Sequence, residues 1–160
     1  MLTLNVGCGD RTYDFYPDKM HKCINFDARN LEKVDVVGDV RKLPFEDNEI
    51  SYILASDIIE HFPLSETVGV LTEWCRVLKA NGTIEFRLPN LKKICNDYVK
   101  GVNDAKTTSW LLYGGQDYSG NFHFICFDRT WFNQIVSSIG LNEIYYEEIG
   151  NNFVVKYKKR

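Results

Sequence analysis

Leu4-Asn5-Val6-Gly7-Cys8-Gly9 joins a short apolar run to a turn with two glycines one residue apart. Glycine permits a tight turn and lets backbone N–H groups come close to a ligand. Alone, the pattern is equally a structural turn; its surroundings give it weight. Asp27 closes the next apolar run, where a carboxylate can accept hydrogen bonds from two ribose hydroxyls. Gly38-Asp39-Val40 ends a third run, setting a second carboxylate where an adenine amino group can donate to it. Ser56-Asp57 ends a fourth. The conjunction points to a nucleotide-like ligand held at one edge of a sheet.

The elements that must position these residues follow from the same pattern. Residues 2–6, 23–27, 34–37, 50–55 and 83–88 are short apolar runs bounded by turn residues, as parallel strands are. Val68, Leu71, Trp74, Cys75 and Leu78 follow a helical spacing, with Ser65 as the expected N-cap and Asn81-Gly82 as a left-handed stop before the fifth strand. Leu91 to Gly101 and Arg129 to Gly140 read as two further helices, and 142–148 with 153–157 as an antiparallel hairpin. The implied fold is an α/β sheet, mostly parallel, with one reversed strand near the C-terminus. Asp10 to Lys22 barely suffices for a crossover, so a short or irregular helix is expected there. Residues 101–124, with Gly114-Gly115, read as a long loop of the kind used as a lid.

Composition narrows the classes. The 160 residues, 44% hydrophobic and 14% aromatic, suit one domain with its own core. A net charge of −3 argues against a non-specific nucleic-acid binder, which needs a basic surplus. The cysteines Cys8, Cys23, Cys75, Cys95 and Cys126 form no C-x-x-C or Cys/His motif, so the spacing indicates neither a zinc site nor a disulfide framework. Reduced thiols in a cytoplasmic protein are the expected state. No apolar run approaches the ~20 residues of a membrane helix, and the N-terminus lacks a signal-like pattern.

With these residues in place, the chain resembles a class I S-adenosylmethionine-dependent methyltransferase, of the small type near the methyltransferase-11 group. The resemblance rests on 4–9, 25–27 and 38–45, on Ala-Ser-Asp-Ile-Ile-Glu-His-Phe at 55–62, on 73–82 and 86–90, and on the late segment from Gly114 to Asp128. It implies S-adenosylmethionine as cofactor and a Rossmann-like sheet in a single domain, 1–160, with a lid-like insert at 101–124 and no N-terminal cap. Carried over by position, Gly7, Cys8 and Gly9 would face the cofactor's methionine part and Asp27 its ribose. Ala28 would lie beside the adenine, Asp39 and Val40 would bind its edge, and Ser56 would contact the amino-acid end. Asn5 stands where the family usually has an acidic residue, and a third glycine is missing because Asp10-Arg11 follows.

On the acceptor side the resemblance implies in-line methyl transfer. A hydroxyl or ammonium acceptor must lose a proton, and histidine titrates in the right range. His61, after the fourth strand, and His123, in the aromatic segment, are the catalytic candidates; packing at a helix entry is the alternative for His61, and Asp57 is a further possible contact. The tetrad used for DNA amino groups is absent after strand four, as is the Pro-Cys of C5-pyrimidine methylation. A small molecule or carbohydrate is therefore the expected acceptor, with Tyr113, Tyr118, Phe122, Phe124 and Phe127 available for stacking or packing. No nucleic acid or membrane partner is expected, and a second copy of the chain is a candidate for closing the open cleft. Two readings stay beside it: a non-catalytic cofactor-binding or interaction module of the same fold, and a nicotinamide-dependent reductase, disfavoured because Thr12 replaces the third glycine.

Overall fold

The computed structural model describes residues 1–10 and 22–160. The irregular helix expected between Asp10 and Lys22 falls on residues outside that description, as does His21.

Among the described residues, seven strands form one sheet: β1 Leu2–Val6, β2 Lys22–Asp27, β3 Val36–Val37, β4 Ile50–Ser56, β5 Leu78–Pro89, β6 Leu141–Ile149 and β7 Asn152–Lys159. Their spatial order is β3-β2-β1-β4-β5-β7-β6. All pairings from β3 to β5 are parallel; β7 runs antiparallel to both β5 and β6. The sheet is thus mostly parallel, and the C-terminal hairpin supplies the reversed strand. In β4, Ile53, Leu54 and Ala55 are buried in succession, as a strand covered on both faces requires. The edge strand β6 keeps one of its nine residues, Leu141, fully inside.

Among the described residues, four α-helices accompany the sheet: α1 Leu64–Val77, α2 Leu91–Val99, α3 Ala105–Tyr113 and α4 Arg129–Ser138. Trp74 of α1 and Phe132 of α4 pack on Phe86, which also meets Tyr157 edge-on; all four are fully buried. Asn90 and Asp128 cap α2 and α4, accepting from the amides of Lys93 and Trp131 at 3.2 and 2.7 Å.

Three expectations change. Helix α1 starts two residues earlier than a cap at Ser65 allows: Pro63 stands at its N-cap without a side-chain cap, its fixed φ of −56° setting the entry. Asn81-Gly82 does not precede the fifth strand but lies within it. There Asn81 takes φ +62° where the pairing jumps from Ile50↔Leu78 to Tyr52↔Thr83, a local bulge. The segment 101–124 is not all loop, because Asp104 accepts from the Thr107 amide at 2.7 Å and starts α3.

Candidate functional site

The strand order reverses between β1 and β4, and a parallel sheet opens a crevice beyond its strand ends at such a point. A cleft of about 400 Å³ lies there, lined by Gly7, Asp27, Ala28, Gly38, Asp39, Val40, Arg41, Ile58 and Phe62. That volume falls within the ~300–1,000 Å³ usual for small-ligand sites.

The floor is backbone drawn close by glycine. Gly7 has φ +64°, and a Cβ on it would stand 2.0 Å from Ile58 Cδ1. Beyond it, the Gly9 N–H donates to Asp27 Oδ2 at 2.7 Å, tying the turn after β1 to the end of β2. The other Asp27 oxygen accepts from the Arg29 amide at 2.9 Å and its Nε at 3.2 Å. Burial opposes the charge on Asp27, but the donors from Arg29 and Gly9 prevail and hold its carboxyl below the usual range. The Arg29 guanidinium lies 4.6 Å from the Tyr118 ring centre, bringing the late segment onto the turn after β2.

Asp39 is held by Arg41, which reaches Glu66 as well, and its carboxyl is likewise lowered chiefly by the Arg41 side chain. Val40 is fixed differently: its buried carbonyl accepts from the Trp74 indole at 2.9 Å. Cys8 is buried, its thiol pushed up to about 11 by burial and by the Asp27 charge, so it stays protonated at neutral pH. Asn5, Cys8, Gly9 and Ser56 are not among the lining residues. The Asn5 amide donates to Asn25 Oδ1 at 3.1 Å across β1 and β2, and the Ser56 hydroxyl donates to Asp57 at 3.2 Å. Asp57 is further engaged by Arg87 and, at 2.6 Å, by Asn152.

On the other side of Ile58 and Phe62, a single 3₁₀ turn, Ile59–His61, follows β4. The segment before α4 is stitched to it: Phe124 and Ile125 amides donate to the Glu60 carbonyl at 2.9 and 3.4 Å, and His61 Nδ1 meets the Phe122 carbonyl at 3.0 Å. This brings His61 and His123 together, rings edge-on at 4.8 Å between centres. Burial lowers both histidines, and the neighbouring His61 lowers His123 further, so both are neutral at pH 7. A carbonyl only accepts, so His61 Nδ1 carries the proton and Nε2 keeps a lone pair. Glu60 is fully buried, and among the described residues neither carboxylate oxygen has a hydrogen-bond partner; burial, then the Asp57 charge, pushes its carboxyl well up.

Sequence reasoning missed Arg29, Arg41, Ile58, Phe62 and Glu60. Glu60 had one signal, an acidic residue directly after Ile58-Ile59 in an apolar surrounding.

Residues 4–86, just over half of the chain, match the family described as a methyltransferase domain. The chain is 39% identical over 80 residues to the sterol 24-C-methyltransferase erg6 of Schizosaccharomyces pombe, a match covering 48% of this chain and 19% of that protein. It therefore spans about a fifth of that relative's length. The solved PH0226 protein of Pyrococcus horikoshii OT3 is similar over 99% of this chain and 82% of its own, with TM-score 0.75 and 22% identity. The 1,6-didemethyltoxoflavin-N1-methyltransferase of Burkholderia thailandensis, solved with 1,6-didemethyltoxoflavin and S-adenosylhomocysteine bound, is similar over 99% of this chain and 70% of its own, with TM-score 0.72 and 12% identity. At such identities these two structures speak for the fold.

Proposed function

The chain belongs to the methyltransferase domain family, and on that premise we propose that it is an S-adenosylmethionine-dependent methyltransferase acting on a small molecule or glycan precursor. The observation that carries the reading is the ionised Asp27 in the cleft wall, tied to the Gly9 amide below a glycine turn that admits no side chain. A side chain at Gly7 would close the floor against Ile58; its lack leaves room for the cofactor's methionine part beside Cys8 and Gly9. Asp27 accepts the ribose hydroxyls, each of its oxygens having more than one acceptor position. Ala28, Asp39 and Val40 form the adenine side, with Trp74 fixing the Val40 peptide. Asn5 and Ser56 act behind the wall, Asn5 joining β1 to β2 and Ser56 meeting Asp57.

Bound there, S-adenosylmethionine would supply an electrophilic methyl on a sulfonium, whose S–C bond would break as the acceptor atom bonds to carbon, the electron pair staying on sulfur. The chain contributes positioning and exclusion of water, which can supply much of the acceleration for an uncharged leaving group. His61 and His123 serve the acceptor, the neutral His61 with a lone pair at Nε2. The acceptor is chosen over nucleic acid because of the acidic net charge, −3, and because exposed Trp110, Tyr113, Phe122 and Phe124 suit a ring or sugar face. Among the described residues, no helix is long and apolar enough to cross a membrane.

A second reading, a module that binds the cofactor without turnover, draws on Arg29, which already occupies one oxygen of Asp27. Calorimetric titration with S-adenosylhomocysteine tests both: saturable binding is expected, and its absence would sink the cofactor assignment. Methyl release from labelled S-adenosylmethionine to a panel of phenolic, carboxylic and sugar acceptors then separates enzyme from module.

A further inference from the structure

One cluster is left incomplete by the fold itself. Glu60, His61 and His123 each bring a ligand atom within 4.8 Å of the others. Glu60 is wholly enclosed, yet among the described residues both of its oxygens lack a hydrogen-bond partner, and so does the buried Nδ1 of His123. Protein interiors seldom leave such atoms unmet, and an enclosed carboxylate is costly without a countercharge. Among the described residues, Arg87 is a cation whose charge acts on Glu60, but its guanidinium is bound to Asp57. The His61 ring, for its part, is oriented as metal-binding imidazoles are: one nitrogen donates to a backbone carbonyl, that of Phe122 at 3.0 Å, leaving the other as a lone pair.

We propose that Glu60, His61 and His123 bind a divalent first-row transition-metal ion, with an open position that takes an oxygen of the acceptor. Two imidazoles and one carboxylate suit zinc, iron, cobalt or nickel over magnesium and calcium, which prefer oxygen donors throughout. Three protein ligands leave a place for water or substrate, the arrangement of catalytic rather than structural metal sites. The cation would satisfy both Glu60 oxygens and the His123 nitrogen at once. Its position follows from the chain: the 3₁₀ turn carrying two of the ligands lies between Ile58 and Phe62, which line the cleft. An acceptor hydroxyl bound to the cation would give up its proton to solvent water at neutral pH, becoming the nucleophile without a protein base.

The metal assignment stands on the three side chains alone; the acceptor's part in it rests on the methyltransferase reading. It makes His61 and His123 ligands that activate the acceptor rather than proton carriers. The spacing of the sequence shows no such motif, because the third ligand arrives from the segment beyond α3 and only tertiary structure joins it to the other two.

The test is a titration of the full chain, stripped with chelator, with Co²⁺. One ion per chain is expected, with the visible d–d absorption of a low-coordinate site, no near-ultraviolet thiolate band, and displacement by Zn²⁺. Glu60→Gln and His123→Ala should each weaken binding beyond the ~10–100-fold that follows loss of a mere outer-shell partner. Glu66→Gln, an exposed carboxylate paired with Arg41, should leave it unchanged. Failure of the unaltered protein to bind one Co²⁺ overturns the proposal, as does binding that survives both variants or a thiolate band that assigns the ion to cysteine. S-adenosylhomocysteine calorimetry on the same samples reports folding and the cofactor site separately: failure there with cobalt binding retained would sink the methyltransferase reading and leave the metal site standing.

Discussion

The cleft beyond β1–β3 and the cluster that joins the 3₁₀ turn to the 101–124 segment treat their polar atoms in opposite ways. In the cleft, Asp27 has both oxygens engaged by Gly9 and Arg29, Asp39 is held by Arg41, and the Val40 carbonyl by Trp74. In the cluster, both oxygens of Glu60 and Nδ1 of His123 are enclosed and unmet. One half is completed by its own chain; the other is completed only by something bound. The family match, 4–86, takes in the first half and ends before the segment that supplies His123. A shared cofactor asks for a shared, self-sufficient cradle, whereas an acceptor particular to one protein is recognised by segments outside the common core.

Gly7→Ala should break the first half most severely. The new Cβ meets Ile58 Cδ1 at 2.0 Å, on backbone already left-handed at φ +64°. Left-handed backbone costs a non-glycine residue ~1–2 kcal/mol, and overpacking adds ~1–3 kcal/mol. A loss of about 2–5 kcal/mol in unfolding free energy is expected, with S-adenosylhomocysteine binding abolished. Unchanged denaturant midpoint and affinity would mean that Ile58 yields freely and the floor is not rigid.

Asp27→Ala comes next. Losing charge-assisted hydrogen bonds to a ribose costs ~1.5–3 kcal/mol, which calorimetry would read as affinity weakened about 10- to 150-fold; unaltered affinity would remove Asp27 from the site. The carboxyl also sets a pH dependence. Its folded pKa lies below the unfolded value, so its stabilisation is complete above about pH 4 and is lost as pH falls through the lower folded value. Asp27→Asn should therefore flatten the acid limb of a stability-against-pH curve. It flattens only part of it, because Asp39 and Glu73, lowered by Arg41 and Arg76, act in the same direction.

Legibility in the sequence divides along the same line. The strand-glycine and strand-carboxylate junctions at Gly7, Asp27 and Asp39 are local patterns, so both the sheet and these residues of the cleft wall could be read from short stretches. Arg29 could not, since only the folded turn brings its flexible side chain back onto Asp27. Glu60 was hidden for another reason: burial without partners is a property of the packed molecule. Helix α3 escaped because its residues show no clean apolar stripe, with Trp110 and Tyr113 outside and Thr108 inside. The Asp104 cap was the one local clue.

A buried positioning contact gives a smaller effect. Trp74→Phe removes the donor to the enclosed Val40 carbonyl and should cost ~1–3 kcal/mol of stability for the unmet acceptor, measured by denaturant unfolding. S-adenosylhomocysteine affinity should fall with it, since Val40 lines the cleft. Stability unchanged would show that the carbonyl is otherwise satisfied and that the wall does not depend on the helix behind it.

The smallest effects probe the border between the two halves. Tyr118 belongs to the late segment but stacks on Arg29, 4.6 Å from its guanidinium, and so reaches the cofactor side. Exposed cation–π contacts contribute ~0.5–1 kcal/mol, so Tyr118→Ala should change S-adenosylhomocysteine affinity by about two- to five-fold. Trp110, more exposed at 61% and on α3, makes no contact with that turn among those described. Trp110→Ala should leave the affinity unaltered and shift stability by no more than about 0.5 kcal/mol. If both variants move cofactor affinity equally, the segment acts on the cleft as a whole and the two regions are not separable. If only Tyr118→Ala does, the Arg29–Tyr118 contact is a bridge between the late segment and the cleft, beside the one made through Ile58 and Phe62.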